Sequence, residues 1–387
     1  MNAFPVTRPS VPAIGICSRG RDRKIFRRWL RALAGLLWLP CVAAAGPAQV
    51  EITWMSIANL YIEAGPLKAV FDGYITRLPQ RAFHGGGGGY AYTARPFRPD
   101  SKAVARVLDA IGGPASVNLL FTGHSHWDHS FDTATWSRLT GAKVIGAQTT
   151  CFQVRAENIP AERCTPVFGG ETMELASGVT LHVIRWNHSG DPAINWEQHD
   201  PVELDAVPRP DPATGGLRAG VAEDFPNGGG NRALLFVFDS PQGRYSVFLH
   251  NSASAVDLDV PIVVGGVDYG APIDNLRRAL RGAGLNSVDL WIGTGGLPVA
   301  RLVVPVLRPK TYLPIHWDGL WEPFEAGMPW PYADSALEDF LAQSRVRLLR
   351  PGQYMDKWRI DASGVAAVAN SSVKRNLGFS DLQQFGY

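Results

Sequence analysis

Cysteine is scarce in this chain, four among 387 residues, and two of the four, Cys17 and Cys41, fall within the first 45. The remaining pair, Cys151 and Cys164, lies 13 positions apart, and neither has a partner at metal-ligand spacing. They either close a disulfide loop, which needs an oxidising compartment, or stand as two separate thiols. No apolar run is long enough for a comfortable membrane span. The stretch ALAGLLWLPCVAAA has 14 residues, short of the roughly 20 that cross a bilayer. It follows the basic segment RGRDRKIFRRWLR and ends in Ala43-Ala44-Ala45, a small-residue cleavage site. That order describes a secretory signal peptide. Residues 1–45 are therefore expected to be a leader, and the mature protein to be periplasmic or secreted, with no stable membrane insertion. Arg27-Arg28 raises twin-arginine export, but the residues around the pair match it poorly, and those before Cys41 do not form a lipoprotein box.

An excess of positive charge is missing too, once the leader is set aside. Residues 1–45 hold eight of the 37 Lys and Arg and one of the 35 Asp and Glu, leaving 29 against 34, a net −5. No basic stripe remains for nucleic acid. The Gly tract HGGGGGYAY (84–92) lacks the Lys-Ser/Thr of a phosphate-cradling loop and reads as a linker. No G-x-S-x-G elbow is present, so a serine hydrolase has little support. Charged residues make up 19% and apolar ones 45%, which argues against wholesale disorder.

What the chain does have is a concentration of histidine. Three of its nine stand in HSHWDH, residues 124–129. The cluster follows VNLLF (117–121), an apolar run that reads as a buried strand. In extended chain, i and i+2 point the same way, so His124 and His126 aim at one position. Asp128 and His129, at a helix start, turn toward a second. Imidazole and carboxylate are the ligands of a borderline divalent metal.

Around this cluster the pattern alternates. VEITWMSI, NLYIEAG and LKAVFDG read as consecutive hairpin strands from residue 50 to 73. Helices are expected at 101–113, 132–141, 274–282, near 298–307 and at 335–344. Strands are expected at 143–147, 178–186, 287–293 and 310–317, with a hairpin over 232–250. Residues 189–231, rich in Pro, Gly and Asp, are too long for a simple connection and read as a lid or binding loop inserted in one domain, 46–387. Strands interleaved with helices suggest an α+β protein of two sheets covered by helices on their outer faces.

H-x-H-x-D-H directly after a strand resembles the metallo-β-lactamase superfamily, and other positions fit in order: Asp72 ending LKAVFD, His188 in RWNHSGD, and His316 in YLPIHWD. The ending from Arg308-Pro309-Lys310 to Asp318 is similar to the lactonase-like branch. The resemblance covers residues 50 to about 320 and implies a four-layer αββα sandwich. It also implies a first metal held by His124, His126 and His188, a second held by Asp128, His129 and His316, and Asp72 orienting a ligand from behind. One or two Zn2+ per chain are expected, with iron or manganese as alternatives, and a metal-bound hydroxide attacking a small ester, lactone, amide or phosphoester. Asp128 and Asn251 are the expected catalytic positions. Asn251 is the departure from the pattern: it, or alternatively Ser252, stands where the family carries an Asp that bridges both metals, and the adjacent His250 is a third candidate to replace it. Losing that charge is expected to weaken the second metal, and Asn251→Asp to restore it. His250 should face away from Asn251 on the strand.

His182 alternates with its strand and reads as a core or surface residue, and nothing in the sequence directs His199. Trp127, Trp186, Trp317 and Trp321 either wall a pocket or pack a core. Two other uses of such a site are an iron-dependent oxidoreductase and a non-catalytic metal-bound binding protein. The oligomeric state is not legible in the sequence.

Overall fold

The computed structural model describes residues 46–80, 95–194 and 196–380. The expected leader, with Cys17 and Cys41, and the Gly tract lie outside the described residues. Among the described residues, no helix is long and apolar enough to cross a membrane.

Among the described residues, fifteen strands build two sheets. The first uses β1 (Val50–Ser56), β2 (Asn59–Ala64), β3 (Leu67–Phe71), β4 (Leu119–Phe121), β5 (Lys143–Gly146) and β6 (Cys164–Pro166). The second uses β7 (Thr172–Ala176), β8 (Val179–Trp186), β9 (Asn231–Ser240), β10 (Gly243–Leu249), β11 (Val288–Gly293), β12 (Pro309–Pro314) and β13 (Arg347–Leu348). Two late strands, β14 (Asp356–Asp361) and β15 (Gly364–Val368), return to the first sheet. The strand orders are β15-β14-β1-β2-β3-β4-β5-β6 and β13-β12-β11-β10-β9-β8-β7. In the first sheet β15-β14-β1-β2-β3 pair antiparallel and β3-β4-β5-β6 parallel; in the second β7 to β10 pair antiparallel and β10 to β13 parallel.

Period-two patterning decides which residues go where. Val247 and Leu249 of β10, and Leu290 and Ile292 of β11, enter the core between the sheets, where Phe121 meets Phe236 edge to face at 5.6 Å. The alternate residues Phe248 and Trp291 enter a second core. It is closed from outside by the helices Pro272–Ala283, Gly296–Leu307 and Ser335–Gln343. Helices Ser101–Ala110, Thr133–Thr140 and Gln148–Ala156 accompany the first sheet, the first of them capped by Asp100 Oδ1 accepting from Lys102 N and Ala103 N. The layers are helix, sheet, sheet, helix, the αββα sandwich that the resemblance implied.

The segment 189–231 contains little regular structure: a short helix, Trp196–His199, and Leu217–Arg218 paired with Pro96–Phe97. Buried polar contacts fix it instead. Arg232, at the start of β9, is fully buried and donates to the carbonyls of Gly228, Gly230 and Val167, with Glu203 Oε1 at 3.3 Å. Cys151 and Cys164 are joined as a disulfide, Cα to Cα 5.5 Å, linking the helix Gln148–Ala156 to β6.

Candidate metal centre

Strand ends at one edge of the sandwich deliver every residue of the centre. β4 stops at Phe121, and the chain bends at Gly123 and His124 before His126, with φ −62° and ψ 155°, begins the short helix Trp127–Ser130. His124 and His126 converge as expected, but across a bent loop rather than an extended strand, with His124 Nε2 3.1 Å from His126 Nδ1. His188 follows β8 by two residues. Its ring lies 4.8 Å from that of His124 and 4.7 Å from that of His126. The donor atoms of these three side chains fall within 4.8 Å of one another, all buried.

Asp128, His129 and His316 form a second group on the same criterion. Asp128 Oδ2 is 3.1 Å from both His129 Nε2 and His316 Nε2. The two groups adjoin, since the rings of His124 and His129 are 4.2 Å apart. His316 is the most exposed member, at 24% of its side chain, so the centre opens on that side.

Partners on the outer nitrogens fix which way the rings face. Asp72, at the end of β3, takes His129 Nδ1 on Oδ2 at 2.8 Å and the backbone N of Gly123 on Oδ1 at 3.0 Å. His188 Nδ1 lies 2.8 Å from Ser189 O, which leaves Nε2 for the cluster. Asn251 touches Nδ1 of His124 through Oδ1 (3.2 Å), while its Nδ2 donates to Asp72 Oδ2 (2.8 Å) and lies 3.1 Å from His129 Nδ1. The amide thus stands behind the two groups, on the nitrogens that face away from them. Ser252 Oγ accepts from Ser189 N at 2.7 Å. His250 points the other way, as strand alternation requires. Its Nε2 accepts from Trp291 Nε1 at 3.0 Å, and burial pushes it down to about 3.

The two groups differ electrostatically. Burial, reinforced by neighbouring imidazoles, holds His124 well below the ordinary histidine range, and burial pushes His126 down to about 3. His188 is lowered for the same reason, burial first. Three neutral rings thus converge their lone pairs, an arrangement that a divalent cation fits. In the second group burial disfavours charge, but Asp128 and Asp72 outweigh it and lift His129 to about 10. Burial likewise works against the Asp128 carboxylate, and His129 and His316 overcome it, holding it well below the usual range.

One contributor was hidden in the sequence. Asp318 is fully buried, and both carboxylate oxygens accept from Ile57 N, at 3.1 and 3.0 Å. Ile57 O in turn accepts from His316 N at 2.9 Å. Ile57 and His316 both adopt left-handed backbone, φ 47° and 63°, which costs of order 1–3 kcal/mol per residue and persists only where the surroundings impose it. The clasp supplies that. It explains why the ending is His-Trp-Asp: the histidine reaches the centre because the acid two residues later pins the turn beneath it.

Of the tryptophans, Trp186 packs with Phe248 in the outer core. Trp317 stacks on Trp54 (5.6 Å) and Trp127 on Trp321 (5.0 Å). His182, on the surface of β8, pairs with Thr172 Oγ1 at 3.0 Å. His199 comes within 6.1 Å of His188, ring to ring, and bonds Asp257.

Neither a family model nor a curated protein matches this chain. Solved structures do. The metallo hydrolase Igni18 from the archaeon Ignicoccus hospitalis is 12% identical, over 81% of this chain and 99% of that one, with a TM-score of 0.47. An isothiocyanate hydrolase from Delia radicum gut bacteria is 10% identical over 77% and 96%, TM-score 0.42. The metallo-β-lactamase fold protein YhfI from Bacillus subtilis is 9% identical over 81% and 99%, TM-score 0.40.

Proposed function

We propose that this chain is an exported, metal-dependent hydrolase acting on a small ester, lactone, amide or phosphoester. His124, His126 and His188 would hold one divalent cation, and Asp128, His129 and His316 a second, with zinc the metal expected for five imidazoles and one carboxylate. The observation that carries this reading is the pair of donor groups, each gathered within 4.8 Å, side by side where the loop and short helix after β4 meet the chain beyond β8 and β12. When bound, such cations supply Lewis acidity and lower the pKa of water at the site.

The chain's own residues prepare the centre. Asp72 accepts from His129 Nδ1 and Ser189 O from His188 Nδ1, which fixes the tautomers that present Nε2. Asn251 Oδ1 does the same for His124. We assign Asn251 this positioning role rather than a place between the cations. Asp128, the one carboxylate among the six, would hold the second cation beside His129 and His316. The Cys151–Cys164 disulfide supports a periplasmic or extracellular destination, where such bonds persist.

Elemental analysis of purified protein tests the metal. We expect one zinc retained per chain and a second filled on titration, with His126→Ala losing the first equivalent and all activity. A panel of chromogenic ester, lactone and phosphodiester substrates tests the reaction, with hydrolysis stopped by a chelator and restored by zinc. Full metal occupancy with every substrate inert would sink the hydrolase reading, and iron in place of zinc would redirect it to oxidative chemistry.

A further inference from the structure

Of the ten large apolar side chains that stand exposed among the described residues, seven fall in two short stretches, 194–202 and 256–267. The first, in the long segment, offers Ile194, Trp196 and Val202, which are 73%, 62% and 48% exposed. The second offers Val256 and Val260, then Val263 and Val267 on the small hairpin of Val263–Val264 and Val267–Asp268. The fold joins the two stretches. His199 Nε2 and Asp257 Oδ2 meet at 2.6 Å. Pro201, Val260 and Val263 wall one cavity of about 170 Å³ together with His188 of the metal centre. Asp257 also accepts from Asn187 Nδ2 at 2.7 Å, so the joint is fastened to the residue before His188. Exposed apolar residues are ordinarily scattered singly, and a concentration of them marks a contact surface.

The same stretches are acidic. Residues 189–205 contain five Asp or Glu and residues 254–268 three, and neither contains Lys or Arg. Glu203 and Asp257 have partners in Arg232 and His199. Asp200, Asp259 and Asp268 are exposed and stand in no ion pair among the described residues. Acid and apolar group interleave: Asp200 is two residues from Val202, Asp259 adjoins Val260, and Asp268 pairs across the hairpin with Val263. We propose that this face docks a basic, apolar polypeptide segment, in which Lys or Arg alternates with large aliphatic or aromatic residues, seated against the cavity beside His188. The interleaving decides the occupant. An amphiphile with one head group would satisfy one carboxylate and leave the others beside its chain. An anionic bilayer would set phosphates against the carboxylates, and a second copy of this chain would set the same acids against each other, both of them repulsive. A polypeptide brings a cation to each acid and a side chain to each valine. The contact needs no turnover at the metal centre, so it stands or falls separately from hydrolysis.

Fluorescence anisotropy on the whole purified protein tests this with three labelled peptides of equal length, built from alternating Lys and Leu, Lys and Ser, or Glu and Leu. The Lys/Leu peptide should bind about tenfold or more tighter than either of the others. Raising salt from about 0.05 to about 0.5 M should weaken it about tenfold. Val260→Ser with Val263→Ser, and separately Asp200→Asn with Asp259→Asn, should each lower its affinity about fivefold or more. Each pair is checked for an unchanged melting midpoint, and either pair alone suffices. Leu302→Ser, at a position 39% exposed on the helix Gly296–Leu307, should change nothing. Equal binding of the Lys/Leu and Lys/Ser peptides would reduce the contact to charge alone, and equal binding of Lys/Leu and Glu/Leu to apolar adhesion alone. A loss in Leu302→Ser as large as in the paired variants would mean that no particular face is used. Any of these results would overturn the docking face. So would flotation of the protein with phosphatidylglycerol vesicles, or a dimer in sedimentation equilibrium that the paired variants dissolve.

Discussion

His129 is the residue on which the two halves of the centre part company. Between two carboxylates it is lifted to about 10, whereas His126 is driven to about 3 by burial. Below about pH 9 the metal-free second group therefore holds a proton that an incoming cation must displace, and the first group holds none. Filling the second group should release about one proton per cation, and its affinity should fall about tenfold for each pH unit between about 8 and 6. Filling the first should release almost none across that range. Calorimetry in buffers of different ionisation heat reads both numbers, and equal proton release at the two sites would refute the assignment. Asn251 tests the same ground. The sequence suggested that Asn251→Asp would strengthen the second cation. In the structure its Nδ2 donates to Asp72 Oδ2 at 2.8 Å, so an aspartate would bring two buried carboxylates together, and such a pair retains a shared proton. We expect affinity at the second group to fall about tenfold; a rise would mean that residue 251 reaches the cation directly.

Among the elements, the helix Gln148–Ala156 holds more together than its sequence suggests. Gln153 donates to Ser125 O and Asp224 O, both at 2.9 Å, and accepts from Ser130 Oγ at 2.8 Å. It joins the histidine loop to the long segment above it. Thr149 bonds Glu203 Oε2 from its backbone N (3.0 Å) and its hydroxyl (2.6 Å), and Cys151 anchors the helix to β6. Replacing both cysteines by serine should lower unfolding free energy by about 3 kcal/mol, the scale for closing a loop of this length. Denaturant midpoints would show it, and an unchanged midpoint would refute it. The sequence disclosed the strands around the centre because their apolar runs are long and their ends marked, as in VNLLF before His124. It did not disclose β14 and β15, the short strands DKWRID and GVAAV that extend the first sheet beyond β1. Nor did it disclose the roles of Gln153, Asp318 or Asp257, because a polar side chain's partner is set by tertiary approach and leaves no local pattern. The ligand candidates were legible because HSHWDH sets four of them within six residues directly after a strand, although the loop that carries His124 and His126 bends where extended chain was expected.

At the scale of the molecule, the centre draws on both sheets. His124, His126, Asp128 and His129 follow β4 of the first sheet, while His188 and His316 follow β8 and β12 of the second. A cation in either group would therefore connect the sheets across the open edge of the sandwich. Only the folded chain brings these atoms together, so metal binding should add to stability. The gain is about 2.7 kcal/mol at a free concentration 100 times the dissociation constant. Chelation should lower the melting temperature and zinc restore it, whereas identical melting with and without chelator would count against both cation sites.

At the centre Gly123, after β4 of the first sheet, lies close against Asn251, after β10 of the second. A Cβ there would lie 2.4 Å from the Asn251 side chain. Position 123 is thus free of side chain because position 251 occupies the space, and each restricts what the other can become. In a library of random variants the two should be inherited as a unit: a larger residue at 123 survives only with a smaller one at 251, and that exchange surrenders the amide on His124. The route by which this centre would acquire a different supporting residue therefore runs through two simultaneous changes, a narrow passage that keeps the present arrangement in place.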